Sequence, residues 1–188
     1  MLISARHLVD RLRHPRTRAD ELRDVRRRLV AQPSAEEASD EELRLAGELA
    51  RLRVELSEAV GDVRSCSGCA RGRPSQPSRW IGGYCCGGHT EELFTDDELA
   101  ALRLSGTSPS RLTPPPPTDH AGCAFRGEYG CSLDVADRPN LCVRFFCREL
   151  EAELAVRPED DRTRTRKLAR ELGETFTRFA KLRASPPR

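Results

Sequence analysis

The sequence predicts a mainly α protein, with helical N- and C-terminal flanks around an irregular, cysteine-rich core. Three observations predict it. Apolar residues recur at steps of three and four in both flanks, all eight cysteines fall within residues 66–147, and large aliphatic residues are scarce over 64–92 and 103–140 of that middle stretch. Steps of three and four gather side chains on one helical face, whereas a segment poor in Leu, Ile and Val has little to bury. The 188 residues divide accordingly into 1–63, a helical region, 64–150, a cysteine-cluster domain, and 151–188, a helical tail.

The helical reading rests on particular residues. Leu8 and Leu12 are four apart, and Pro15 ends or kinks the first helix. Leu22, Val25 and Leu29 mark a second. A longer helix is expected over 40–62, where Leu45, Leu49, Leu52, Leu56, Val60 and Val63 share one face. Ser39 and Glu42 form a capping box at its start. Residues 1–30 carry nine basic and four acidic groups, and 31–62 carry three and nine, a pattern that suits an antiparallel hairpin and equally two solvated helix faces. Within the core, 96–104 reads as a short helix with Thr95 as N-cap and acids in its first turn. The prolines of 113–118 read as an extended spacer, and short strands are expected near Gly82–Tyr84 or Phe125–Leu133. In the tail, Leu168, Leu172, Phe176, Phe179 and Leu182 line one face.

Composition excludes several function classes. Thirty-two basic residues nearly cancel 30 acidic ones, so no net field invites nucleic acid or an anionic membrane. The local basic group Arg162, Arg164, Arg166, Lys167 and Arg170 has acidic neighbours and reads as a solvated face. No apolar run is long enough to span a membrane. The N-terminal residues lack a continuous apolar stretch and a small-residue cleavage site, so a cytoplasmic location is expected.

The middle requires a cross-link. Between Arg64 and Glu92 the only aliphatic residue larger than Ala is Ile81, and from Arg103 to Asn140 only five of 38 residues are Val, Ile, Leu, Met or Phe. Ordering each residue costs about 1.5 kcal/mol, which so little apolar surface does not offset. The cysteines run Cys66-x2-Cys69, Cys85-Cys86, then Cys123, Cys131, Cys142 and Cys147. A C-x2-C step turns two sulfurs toward one ion, and glycines at 68, 82, 83, 87 and 88 allow the tight turns that bring amides toward thiolates. Eight thiolates suffice for two four-sulfur sites, or for one with four auxiliary thiols. A structural zinc contributes about 10–16 kcal/mol to folding, enough to order such a segment. Four disulfides would also use eight cysteines, but they need an oxidising compartment. A thioredoxin-type Cys66-Cys69 lacks the βαβ setting. His89 and His120, each three residues from a cysteine, are secondary candidates.

The last four cysteines carry a phrase: Cys123-Ala124-Phe125, Gly130-Cys131-Ser132-Leu133, and Arg138-Pro139-Asn140-Leu141-Cys142-Val143-Arg144-Phe145-Phe146-Cys147. With the C-x2-C step, the Cys-Cys pair and the stretch from Leu93 to Leu99, this resembles the bacterial YkgJ-type cysteine-cluster family, the CxxCxxCC domain. The resemblance covers roughly residues 66–147. It implies that Cys66, Cys69, Cys85, Cys86, Cys123, Cys131, Cys142 and Cys147 chelate zinc or iron, an iron–sulfur cluster such as [4Fe-4S] included. The chain departs from the family pattern in a longer gap from Cys69 to Cys85 and in Ala124, where proline is common. Pro139 biases Arg138 to an extended conformation, which leaves Arg138 or Arg144 either to hydrogen-bond toward cluster sulfurs or to form a surface salt bridge.

The leading expectation is therefore a cytoplasmic metal-binding protein. Two alternatives stand beside it. The same cysteine domain resembles part of flagellin lysine methylases, which implies methyl transfer from S-adenosylmethionine. No G-x-G-x-x-G follows a strand here, and no catalytic constellation stands outside the cysteines. The other alternative is an interaction module, in which metal staples the fold and the helical flanks bind a protein partner.

Overall fold

The computed structural model describes residues 12, 17–61, 63, 90–115, 123–127 and 130–184. Within them the chain is mainly helical. The elements are α1 (Arg18–Val30), α2 (Asp40–Val60), α3 (Thr90–Leu93), α4 (Asp96–Leu104), β1 (Arg126–Gly127), β2 (Gly130–Cys131), a 3-10 turn (Val135–Asp137), α5 (Asn140–Arg144), α6 (Arg148–Ala155) and α7 (Glu159–Ala184).

Local chemistry sets most helix starts. The Thr17 hydroxyl accepts the Asp20 amide at α1, and the Thr95 hydroxyl accepts the Glu98 amide at α4. At α2 the capping box is complete: Glu42 N–H donates to Ser39 Oγ at 3.3 Å and Ser39 N–H to Glu42 Oε2 at 2.9 Å. Helix α2 ends at Gly61, whose φ of +58° favours glycine. Its last turn has no basic residue, and the Arg157 guanidinium supplies the missing donors by binding the Ala59 and Val60 carbonyls. Helix α4 closes on Gly106, φ +95°. The Thr107 N–H bonds the Leu102 carbonyl and the Gly106 N–H bonds that of Arg103, the paired bonds of a Schellman ending.

Two apolar clusters follow from these faces. In one, Leu45, Leu49, Leu52 and Leu56 of α2 meet Leu168, Leu172 and Phe179 of α7, with Ala100 and Ala101 of α4. The α2–α7 pair runs antiparallel, because Glu48 receives Thr175 while Glu42 near the start of α2 faces Arg183 near the end of α7. The other cluster joins Leu22, Val25 and Leu29 of α1 to Leu93, Phe94, Leu99, Leu102, Leu112, Phe125 and Leu133. The Phe94 and Phe125 rings sit 5.3 Å apart, tilted by 48°. Helix α4 belongs to both clusters, Leu99 and Leu102 facing one and Ala100, Ala101 and Leu104 the other.

The structure departs from the sequence reading in three places. Helix α1 packs chiefly on α4 and α3 rather than forming a hairpin with α2. Leu22, Val25 and Leu29 find matching apolar surface on α4, and charge alternation between α1 and α2 does not outweigh that burial. The tail holds two helices, with Pro158 separating α6 from α7, and α5 adds a further helical turn. The strand expected near Phe125–Leu133 is there, as a two-residue antiparallel ladder pairing Arg126 with Cys131 and Gly127 with Gly130. Pro15, the Gly82–Tyr84 stretch and residues 116–118 of the proline spacer lie outside the described residues, as does the first helix except for Leu12. No described helix is long and apolar enough to cross a membrane.

Candidate metal centre

Four of the eight expected ligands are described. Cys123 precedes β1, Cys131 ends β2, Cys142 lies in α5 and Cys147 opens α6. Three of them share one apolar cluster: Cys123 is buried in the α1–α4 cluster, and Cys131 and Cys142 pack against that cluster. No disulfide joins any two of the four. Cys147 serves otherwise, as N-cap of α6, its Sγ 3.5 Å from the Leu150 N–H it accepts. Cys66, Cys69, Cys85, Cys86, His89 and His120 lie outside the described residues.

Separate anchors hold the segments that carry these thiols. The Ala124 N–H donates to the Thr90 hydroxyl at 2.9 Å, and that hydroxyl donates in turn to the buried Glu21 carboxylate. The Arg126 N–H closes a turn on the Cys123 carbonyl at 3.0 Å. Arg18 reaches over from α1, its Nη1 donating to the Arg126 carbonyl at 2.9 Å. Burial holds the Arg18 guanidinium below its ordinary pKa, and the Arg126 charge adds to this, while Cys123 and Glu21 pull the other way. The Arg18 guanidinium thus lies near enough to Cys123 to interact with it electrostatically.

A buried polar network fixes the segment that carries Cys142. The Glu98 side chain, from the first turn of α4, accepts the Asn140 N–H at 3.0 Å and the Asn140 Nδ2 at 2.8 Å. It also accepts the Leu141 amide, so one carboxylate caps the start of α5. Arg53, fully buried on α2, donates to the Leu49 carbonyl, to the Arg138 carbonyl at 3.0 Å and to Ser105 Oγ. Asp137, buried, accepts Thr107 Oγ1 at 2.7 Å and Arg111 Nε at 3.0 Å. The residues from Asp137 to Leu141 are therefore gripped by α2, α4 and the turn after α4.

Electrostatically this network is expensive. Burial raises the Glu98 carboxyl to about 7, although the Asn140 and Leu141 amides and the Arg53 charge all pull it down. Burial likewise lowers Arg53 to about 10, against the pull of Glu98 and Asp137. Both groups move toward their neutral forms, so desolvation outweighs their mutual attraction.

Arg138 and Arg144, the two arginines weighed as partners for sulfur, make other contacts among the described residues. Arg138 Nε donates to the Leu133 carbonyl at 2.9 Å, tying the approach to Cys142 back to the core. The Arg144 guanidinium lies over α7, where a Cβ at Gly173 would come within 3.2 Å of Nη1. Sequence reasoning missed Arg53, Glu98 and Asp137, though two carried a signal. Arg53 interrupts the leucine stripe four residues after Leu49, and Glu98 stands midway between the buried Phe94 and Leu102. A charge on a buried stripe needs a partner.

The donor set fits a thiophilic ion in kind, since soft thiols suit zinc and iron and three of them meet one cluster. Among the described residues no group of three or more His, Cys, Asp or Glu side chains is placed to hold an ion. Compared with protein-family models, curated proteins and solved structures, the chain finds no match in any of the three.

Proposed function

We propose that the protein binds zinc or iron, an iron–sulfur cluster included, through clustered cysteine thiolates, as a cytoplasmic protein of the YkgJ-type cysteine-cluster kind. One observation carries the reading. Cys123, Cys131 and Cys142 come from a turn, a strand and a helix, and all three meet one apolar cluster. Cys66, Cys69, Cys85 and Cys86 complete the donor set, and Cys147 joins it where its sulfur turns from the Leu150 amide to the ion. The bound ion supplies a cross-link to a segment too lean to order itself, or, as an iron–sulfur cluster, a site for one electron.

Elemental analysis with a visible spectrum, on protein purified without oxygen, tests this. Iron with acid-labile sulfide and visible absorption identifies a cluster. Colourless protein with one or two zincs per chain identifies a structural staple and directs attention to a protein partner at the helical flanks. A chain that takes up neither metal on reconstitution overturns the proposal, as does methyl transfer to a peptide lysine by metal-free protein.

A further inference from the structure

We propose that Glu98 and Arg53 are positioning residues for Cys142, so that the helical scaffold, through this clamp, governs how firmly the metal site keeps its ligand. The inference rests on the metal-binding reading and extends it to residues that are not ligands. Neither side chain comes from the cysteine segment: Arg53 is on α2 and Glu98 on α4. Both are buried, and the Glu98 carboxylate accepts from the Asn140 and Leu141 amides and from Asn140 Nδ2, all at the start of α5.

The geometry explains why two charges sit in a dry interior at all. Helix α5 has five residues, too few to persist alone, and its N-cap position is Pro139, which offers no side-chain acceptor. Glu98 takes that role from another helix, satisfying the amides of Asn140 and Leu141 while Cys142 follows one residue later. Arg53 fixes the residue before the proline through the Arg138 carbonyl. With both ends of the Arg138–Leu141 stretch pinned, the backbone entering Cys142 has one conformation. Outer partners of this type orient metal ligands and tune affinity elsewhere in protein chemistry.

The test separates positioning from stability alone. In full-length protein, the rate of zinc or iron extraction by a chelator and the alkylation rate of Cys142, read by peptide mass spectrometry, are compared in three variants. Glu98→Ala is expected to raise both by at least about tenfold, the factor one lost charge-assisted hydrogen bond carries. Glu98→Gln, whose amide oxygen still accepts from Asn140, is expected to restore both rates to near wild type. Leu45→Ala, a cavity in the other cluster, lowers the melting temperature without touching the clamp, and is expected to leave both rates near wild type under conditions where all variants are folded.

Equal rates in Glu98→Ala and Leu45→Ala overturn the proposal. If Glu98→Ala does not fold, Asn140→Ala removes the Nδ2 bond alone, and an unchanged Cys142 rate in that variant overturns it equally. Wild-type protein that accepts neither metal would end the metal reading, and the alkylation rates of metal-free protein then decide the clamp on their own.

Discussion

The two clusters of this molecule are built on opposite principles. Between α2 and α7, leucines and a phenylalanine fit face to face, and the buried polar groups that α7 contributes are the uncharged hydroxyls of Thr165 and Thr175. Around the cysteines, apolar contacts are joined by buried Glu21, Arg53, Glu98, Arg126, Asp137 and Asn140. Hydrophobic burial is non-directional and tolerates many sequences, whereas a buried carboxylate dictates which amides must face it. The first region supplies stability, and the second supplies a defined backbone path at a cost in desolvation.

The largest expected effect breaks the cysteine side of the comparison. Cys142→Ser should lose bound metal and cooperative unfolding together, since the ion contributes about 10–16 kcal/mol where it is structural. Elemental analysis per chain checks it, and unchanged metal content would remove Cys142 from the site. On the leucine side, Leu45→Ala should cost about 2–5 kcal/mol by denaturant titration while metal per chain stays constant. A coupled loss of metal would show that the regions are not separable.

The pH response sharpens the contrast next. Glu98 binds its proton more tightly when folded, at about 7 against an ordinary 4.5. The native state then holds more protons than the unfolded chain across that window, so this contribution is full below about 4.5 and falls as pH rises toward 7. The loss is on the order of 3 kcal/mol. Urea titrations at several pH values should show wild-type stability declining relative to Glu98→Gln over this range, and a constant difference between them would contradict it.

Smaller effects test the local chemistry. Gly106→Ala should lose about 1–2 kcal/mol, because an L side chain resists the positive φ that ends α4 and delivers Thr107 to Asp137. Ser39→Ala should lose about 1 kcal/mol by thermal melting, from the cap of α2 alone.

Legibility in the sequence follows the same divide. The stripes of α2 and α7, the capping box at Ser39 and Glu42 and the Thr95 cap can all be read directly, because periodicity and capping depend on residues three or four apart. The strand pairing near Phe125 is legible as composition and phrase. Arg53 and Glu98 are not: each resembles an ordinary helical charge, and the acids of α4 read as dipole compensation until Asn140 is brought beside one of them. Arg138 illustrates the converse, a residue inside a recognisable motif whose guanidinium serves the Leu133 carbonyl rather than sulfur.

The sequence by itself determined the helices, their apolar faces, the concentration of thiols and the poverty of the middle segment, since these are properties of neighbours along the chain. Only the tertiary structure decided that α1 rests on α4, that α4 divides its faces between two clusters, and that a carboxylate on α4 caps α5. Those outcomes depend on residues 42 or more positions apart, as Glu98 and Asn140 are. Such groups meet only when burial of the apolar faces has already set the helices in place, and burial then leaves each charge no partner but the one the fold provides.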